Sequence, residues 1–415
     1  MKKLVLLFAL SLLIFNSCNK DDSGTPSETQ PDKVILLTQQ EVDDFGAMDY
    51  VNFDGDIWIG DDDSDTYHPN PSITNLNSLS SLKTVKRLYI VSNTNLTNLN
   101  GLSNLESVSI EFSLDNNTSL SNINALNNCL FEGSFAIKGN SALTNLNGIA
   151  QSTFNDIQLI TINDNALLEN INGITNLTSI NGTNGFFGVL SINNNSSLID
   201  IEGLSNLATV ENLIEIKDNP LLTNFCGIQP LANSSSFSAD YEVSGNAFNP
   251  TQQEIIDGFC FFKEFAGDIT LWHQDDINNF GLNEYSQITG TLQLGNTSAT
   301  NNPDVYDLTP LGSIYKVENF GIWRCNNLTN IDGLNINIIT NSFGIAESGV
   351  ENLNGLQNLK KVDGSNITII SNGNLSDFCG LTTLFTSSGF SGTYNVTGNS
   401  YNPTQQNIID GNCSE

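Results

Sequence analysis

Apolar residues recur along most of the chain in one short motif, L-x-[N/D]-[L/I/F]-x-[G/S/A]-[L/I], at intervals of 22 to 30 residues. This interval is typical of a leucine-rich solenoid, in which each repeat forms one coil and the apolar positions of successive coils stack into a common core. The fourth position of the motif is the central apolar residue of each coil. These residues are Leu76, Leu99, Ile123, Leu146, Ile171, Ile201 and Phe225, followed by Leu308, Ile331, Leu353 and Phe378.

A second apolar cluster follows in most coils and has a period of two. Examples are Leu88-Tyr89-Ile90, Ile160-Thr161-Ile162 and Ile214-Glu215-Ile216. A period of two predicts strands whose alternate side chains point inward. An asparagine-rich turn closes each coil, as at residues 93–95 and 193–195. The pattern therefore predicts an all-β solenoid.

The third position of the motif is always Asn or Asp. We expect these side chains to stack at one corner and to hydrogen-bond the backbone of the neighbouring coil, which would satisfy groups that otherwise cost about 1–3 kcal/mol each. The alternative is that Asn is simply frequent in turns. The positions are Asn75, Asn98, Asn122, Asn145, Asn170, Asp200, Asn224, Asp307, Asn330, Asn352 and Asp377.

Two segments at the ends of the coil arrays are near copies of each other. Leu222–Cys260 returns without a gap at Leu375–Cys413, and each copy predicts a strand, an Asn-Pro turn and a short helix. An opening module of strand, helix and strand at residues 33–60 also recurs at residues 269–295. Because each cap would close one solenoid, the sequence predicts two tandem domains, at residues 33–263 and 264–415.

The seven cysteines include one pair in each cap with the same spacing. This predicts the disulfides Cys226–Cys260 and Cys379–Cys413, each contributing on the order of 4 kcal/mol by chain entropy. Metal binding is the rival interpretation, but the sequence has no C-x-x-C and no nearby His. We expect Cys129 to be a buried thiol and Cys325, in a turn at the corner of its coil, to be structural, although a bridge between these two stays open.

The coils and the Cys-bearing caps resemble the receptor L domain, a right-handed β-helix with leucine-rich coils that also occurs in bacterial surface lipoproteins. The resemblance covers residue 33 to the C-terminus. It implies two tandem right-handed β-helices with short capping helices. It does not imply one function, because related coils serve adhesion, hormone binding and wall organisation.

The start of the chain predicts export and lipidation. A basic Met1–Lys3 precedes an apolar stretch, Leu4–Phe15, that is shorter than the about 20 residues needed to span a bilayer, so residues 1–17 are interpreted as a signal peptide. Residues 15–18 resemble a bacterial lipobox, with Phe15 in place of the usual Leu and Cys18 as the lipidated residue. A plain secreted chain is the alternative.

Residues 18–32 are expected to form a flexible tether, since Gly, Pro, Ser and Thr follow one another without an apolar run. Its first residues, Asn19–Asp22, resemble the surface-export tag of some Gram-negative lipoproteins. The predicted location is therefore the bacterial outer membrane or cell surface. A periplasmic orientation stays open.

The charge balance excludes one class of partner. The net charge is −31, from 14 Lys and Arg against 45 Asp and Glu, so no basic patch is available for nucleic acid. The same charge would be repelled by an anionic membrane surface. We therefore expect membrane contact only through the lipid anchor.

No coherent catalytic set emerges from the sequence. Neither His68 nor His273 has a Ser or Cys nucleophile at a recognisable spacing, and no cofactor or metal is predicted. The acidic loop at residues 61–65 could ligate calcium, but a solvated loop is the simpler interpretation. The sequence thus favours a protein that is not an enzyme.

Aromatic side chains are the remaining candidates for ligand binding. Trp58 and Trp272 lie in opening modules and are expected to pack in the core, whereas the alternation after Ile322 directs Trp323 outward beside Arg324. We predict a surface protein that binds a protein or glycan ligand, with Trp323 and Arg324 as candidate contacts. Alternatives are a carbohydrate-active or glycan-binding component and a purely structural envelope protein.

Overall fold

The protein is described by a computed structural model that covers residues 30–61, 70, 72–182, 188–234, 239–296 and 304–415. The predicted signal peptide, Cys18, His68 and all but the first residue of the acidic loop lie outside the described residues. Most of the regular structure is strand. The helices are α1 (Gln39–Gly46), α2 (Gln229–Ala232), α3 (Gln252–Ile256), α4 (Gln274–Gly281), α5 (Thr382–Thr386) and α6 (Gln405–Ile409).

Strands of the first half build one long parallel sheet. Within the described residues nine of them follow the order β1-β2-β3-β4-β5-β6-β8-β10-β11, and β7 pairs separately with β9. Their bounds are β1 (Lys33–Leu36), β2 (Asn52–Gly60), β3 (Thr84–Val91), β4 (Ser107–Asp115), β5 (Leu130–Lys138), β6 (Thr153–Asn163), β7 (Ser179–Ile180), β8 (Val189–Asn193), β9 (Thr209–Val210), β10 (Leu213–Lys217) and β11 (Asp240–Ser244).

The second half repeats this arrangement in a second parallel sheet. In the part of it that the structure describes, the sheet has nine strands and a main path of β12-β14-β15-β17-β19-β20. The bounds are β12 (Glu264–Phe265), β13 (Ile269–Leu271), β14 (Gln287–Gly295), β15 (Lys316–Trp323), β16 (Ile338–Ile339), β17 (Phe343–Ala346), β18 (Lys361–Val362), β19 (Asn366–Ile370) and β20 (Thr393–Thr397).

Direct parallel pairing from one coil to the next agrees with the predicted period of two. Residues two apart on each strand point into the same core, and one inward row contains Ile57, Leu88 and Phe112 in register. The central motif residues, such as Leu99 and Phe225, are at most 1% exposed. Burial of such a side chain contributes roughly 1.5–3 kcal/mol. The strand-rich, parallel arrangement fits an all-β solenoid-like fold.

The third motif position does not form the predicted ladder between coils. Its side-chain oxygen instead accepts a hydrogen bond from the backbone N–H two residues later, at 2.8–3.3 Å, at the start of a short 3₁₀ turn. The prediction was wrong because the first N–H groups of such a turn lack partners and the side chain two residues earlier is the nearest acceptor. Residues with this contact are Asn75, Asn98, Asn145, Asn170, Asp200, Asn224, Asp307, Asn330, Asn352 and Asp377.

A buried amide ladder lies instead in the asparagine-rich turns. Each ladder Asn after the first accepts a hydrogen bond at 2.9–3.2 Å from the backbone N–H of the ladder residue in the preceding coil. Its own side-chain amide donates to a carbonyl of that preceding coil, as Asn195 does to Ile162 at 2.8 Å. The rungs are Asn93, Asn117, Asn140, Asn165, Asn195, Asn219 and Asn246.

Both predicted caps close this ladder in the same way. In the first cap Asn249 turns back, and its side-chain oxygen accepts from the N–H of Asn246 at 3.0 Å. Asn402 does the same for Asn399 in the second cap, at 3.0 Å. The Asn-Pro turn of each cap thus ends the amide ladder with a residue of its own.

The cap cysteines form the two predicted disulfides. Cys226 is bonded to Cys260 and Cys379 to Cys413, each with a sequence separation of 34 residues. The carbonyl of each second cysteine also accepts a hydrogen bond from the coil beside it, from Phe225 at 2.7 Å in the first cap. Each cap is therefore fastened to the last coil by covalent and backbone contacts together.

Two separate buried clusters correspond to the two sheets, one ending at Cys260 and the other beginning at Leu271. Residues of the first cap nevertheless contact the second half. The Phe259 ring stacks on Tyr315 with centroids 4.1 Å apart, and Asp257 pairs with Lys360. The boundary between residues 263 and 264 stays a prediction.

Candidate functional site: the outward faces of the two sheets

The inward alternation leaves one row of side chains at the centre of each sheet's outer face. In the first sheet this row pairs residues of neighbouring strands in strict register. It begins with large side chains, continues with small ones and ends with two glutamates. The row contains Ile35, Trp58, Tyr89, Ser113, Ala136, Thr161, Ser191, Glu215 and Glu242.

Trp58 lies on this outer face and not in the core. Its neighbours Ile57 and Ile59 are fully buried, so the strand period places the indole outward, where it stacks on Tyr89 with ring centroids 3.9 Å apart. The Lys33 ammonium lies over the indole ring, 4.5 Å from its centroid, in a cation–π contact. The expectation that Trp58 packs in the core was wrong. It was based on the position of Trp58 in an opening module and did not apply the inward–outward alternation of the strand.

Charged groups surround this aromatic pair and are mostly matched. Arg87 contacts both carboxylate oxygens of Asp56, at 3.1 and 3.2 Å. The Tyr89 hydroxyl donates to Glu111 at 2.6 Å. Burial, together with the hydrogen bond to Glu111, raises the pKa of Tyr89, so the phenol is protonated at neutral pH and acts as a donor.

Beyond Tyr89 the outer face becomes a shallow trough. Ser113, Ala136 and Ser191 are only 6–8% exposed although they point outward, since taller side chains flank them on both sides. One flank changes from polar at Glu111 and Ser134 to apolar at Leu159 and Leu213, and the other flank is polar. The trough crosses several strands, with the aromatic pair at one end.

The second sheet carries a different aromatic feature at Trp323. This residue ends β15 and is partly exposed on the outer face, as the sequence predicted. A Cβ atom built on Gly321 would lie 2.7 Å from the indole Nε1, and one built on Gly344 would lie 3.4 Å from Cζ2. The indole therefore lies across two strands, on a floor made by two glycines.

Arg324, the second predicted contact, is held at the corner beside Trp323. Its Nε donates to Glu347 at 2.8 Å, and its backbone adopts a left-handed conformation with a φ of 56°. In most coils that corner position carries Ser, Asn, Asp or Gly, which tolerate this conformation better. The structure thus places Arg324 next to the indole, paired with a carboxylate.

The other predicted residues are Trp272, His273 and the two free cysteines. Trp272 precedes α4 and is 38% exposed, so its expected core position was also wrong. His273 lies on the surface with Nδ1 2.8 Å from Asp304, and this contact lowers the pKa of the Asp304 carboxyl. Cys129 and Cys325 are both buried and unbridged, and burial raises the pKa of each thiol to about 12.

One open depression of about 390 Å³ lies near the start of β14 and β15, and it is lined by Lys316, Glu318, polar residues and the apolar Ile288 and Val317. Among the described residues, no group of three or more His, Cys, Asp or Glu is placed to hold a metal ion. Within the same part of the chain, no helix is long and apolar enough to cross a membrane.

Comparison of the chain with protein-family models and with curated proteins finds no match. The aromatic pair on the first sheet was missed by sequence reasoning, although the burial of the apolar residues on either side of Trp58 follows from the strand period. The glycine floor under Trp323 could not be predicted from a local sequence motif, because Gly321 and Gly344 become neighbours only through the strand register.

Proposed function

We propose that this protein is a non-enzymatic binding protein of the bacterial cell surface that takes a protein or glycan ligand on the outward faces of its sheets. In this proposal the chain forms two tandem right-handed β-helices of the receptor L type, and lipid on Cys18 holds it to the outer membrane. The resemblance of the coils and caps, and of the N-terminus to a lipobox, supports these parts.

The observation that carries the proposal is the placement of aromatic side chains on the outer faces. A sheet face that only has to meet water carries polar side chains, yet Trp58 and Trp323 lie there partly exposed. Aromatic residues are enriched where proteins bind partners, since they supply a large contact area at a low entropic cost. The outer faces are therefore the surfaces where binding is expected.

Binding is tested with the full chain, purified in detergent and applied to arrays of glycans and of surface proteins. We expect at least one ligand whose signal falls tenfold or more when Trp58 and Trp323 are both replaced with alanine, because the aromatic contact area is lost. Tyr306→Ala is the control, since this aromatic side chain is 61% exposed and belongs to no strand, and its signal should match the parent.

Two results would contradict the proposed function. One is a ligand signal that the double variant leaves unchanged, which would move binding away from the sheet faces. The other is the release of hydrolysis or elimination products from a polysaccharide, which would make the protein an enzyme and favour the carbohydrate-active alternative.

Membrane attachment is tested separately by Cys18→Ser. The variant should move from the membrane fraction to the soluble fraction, because the acylated cysteine is the only anchor in the proposal and the strongly acidic chain does not adhere to anionic lipid. Cys129→Ala, which removes a buried thiol, should stay with the membranes. Retention of Cys18→Ser in the membrane fraction would disprove the lipid anchor.

A further inference from the structure

Two glycines lie opposite each other on the outer face of the second sheet, in the interior of adjacent strands. Gly321 of β15 pairs with Gly344 of β17, and neither has a positive φ. Glycine within a strand weakens it, because it adds backbone entropy and offers no side chain to pack. The backbone conformation does not require glycine here. The remaining reason for glycine at both positions is that the space above them must stay free of a side chain of their own.

That space is filled by the Trp323 indole. The pyrrole edge lies over Gly321 and the benzene edge lies over Gly344, within 2.7–3.8 Å of the positions that Cβ atoms would take. The contacting atoms lie along the Nε1–Cζ2 edge of the ring, so this edge is packed on the two glycines. The rest of the indole is partly exposed.

Part of the rim of this surface carries uncharged hydrogen-bonding groups. Gln293 pairs with Gly321 from β14, and Thr368 pairs with Gly344 from β19. Beside them Asn319 accepts a hydrogen bond from the hydroxyl of Ser342 at 2.7 Å. Amide and hydroxyl groups thus lie near the indole on β14, β15 and β19, whereas the residues in register with Trp323 itself, Ala346 and Ile370, are apolar.

Charge distinguishes this surface from the aromatic pair on the first sheet. Around that pair, Lys33 lies over the Trp58 indole, Glu111 accepts from the Tyr89 hydroxyl, and Arg87 lies in an ion pair nearby. Next to Trp323 the charged side chains are Arg324 and Glu347, which neutralise each other in an ion pair at 2.8 Å. The net charge of −31 disfavours acidic ligands on any face of the protein.

From this arrangement we infer that Trp323 is the seat of an uncharged saccharide. The inference rests on the proposed function and assigns it a ligand class and a site. The apolar C–H face of a sugar ring packs on the exposed part of the indole, while its hydroxyls exchange hydrogen bonds with Gln293, Thr368 and Asn319. No bond of the saccharide is broken in this interaction.

The test uses a panel of neutral gluco-, manno- and xylo-oligosaccharides against the full chain in detergent, by calorimetry and by quenching of tryptophan fluorescence. At least one neutral oligosaccharide should bind, with affinity reduced tenfold or more in Trp323→Ala. Gly321→Ala should have the same effect while keeping the tryptophan, because its new Cβ would force the indole off its floor.

Two matched variants control for indirect effects. Gly344→Ala adds a Cβ at ordinary contact distance, 3.4 Å from the ring, and should bind within threefold of the parent. Trp58→Ala changes only the first sheet and should also bind within threefold. Circular dichroism of each variant checks the fold, and Gly321→Ala keeps the test informative if Trp323→Ala does not fold.

The inference is overturned if no neutral oligosaccharide binds, or if binding survives Trp323→Ala and Gly321→Ala unchanged. A protein or acidic glycan that binds and depends on Trp58 would overturn the inference while leaving the proposed function in place. If neither the glycan arrays nor the protein arrays gave any ligand, both the inference and the proposed function would be wrong.

Discussion

Replacing Asn195 with alanine should lower the free energy of unfolding by about 3–5 kcal/mol. The side chain is fully buried, and its oxygen accepts hydrogen bonds from the backbone and side-chain amides of Asn165 at 3.1 and 3.2 Å. Its amide donates to Ile162 at 2.8 Å. Alanine removes all of these contacts and leaves buried polar groups on the preceding coil without partners.

The matched control is Asn145→Ala, in one of the motif positions that the sequence suggested for the ladder. Asn145 accepts from the N–H of Asn147 at 3.0 Å and lies near the surface, so water can replace the contact and the cost should be about 1 kcal/mol. Urea denaturation followed by circular dichroism compares the two variants. Equal destabilisation, or a larger effect at Asn145, would contradict the assignment of the ladder to the buried turns.

Hydrogen exchange adds a local readout to this comparison. Because each coil of a solenoid contacts mainly its neighbours, the Asn195→Ala variant should lose amide protection first in the coils around Asn165, Asn195 and Asn219. Protection near the second cap should stay as in the parent chain. A uniform loss along the whole chain would indicate instead that the solenoid unfolds as one unit.

The ladder shows where sequence reasoning succeeds and where it stops. Repetition correctly indicated that a polar side chain stabilises every coil, because a position filled by Asn or Asp each time implies a repeated backbone environment. Two such positions exist in each coil, however. Which of them is buried depends on the three-dimensional corner where the chain turns left-handed, as at Asn194 before Asn195 with a φ of 59°.

Strands, caps and opening modules followed from local patterns. The interval of the motif, the alternation around Leu88 and Ile90, and the copied cap segments each reflect one physical constraint, such as an inward face or a chain end. These predicted a strand, a helix and a strand in each opening module and a short helix in each cap, and the structure has all of them. Local patterns suffice where neighbours in the sequence determine the structure.

The outer faces could be predicted only in part. Alternation placed Trp323 outward, and the same rule applied to Ile57 and Ile59 would have placed Trp58 there too. The stacking of Trp58 on Tyr89 and the floor of Gly321 and Gly344 depend on register between strands more than 20 residues apart. Register follows from the length of each coil, which varies along this chain, so these contacts needed the structure.

Removing the disulfide of one cap should destabilise that half of the protein and spare the other. For Cys226→Ser with Cys260→Ser, a closed loop of 34 residues predicts a loss of about 4 kcal/mol by chain entropy. The last coil should also become more exposed to solvent. The disulfide holds the Cys260 carbonyl in place, where it accepts a hydrogen bond from the backbone N–H of Phe225. The second cap, with its own disulfide, provides the matched variant in Cys379→Ser with Cys413→Ser.

The tryptophans report the two halves separately. Trp58 belongs to the first sheet, whereas Trp272 and Trp323 belong to the second half. In urea denaturation, a Trp58→Phe background therefore reports only the second half, and a background with phenylalanine at Trp272 and Trp323 reports only the first. We expect the first pair of substitutions to shift only the Trp58 transition to lower urea, and the second pair to shift only the transition of Trp272 and Trp323. The contact of Phe259 with Tyr315 can transmit a smaller shift across the boundary. If either pair moved both transitions equally, the two halves would unfold as one cooperative unit and the division into two solenoids would be wrong.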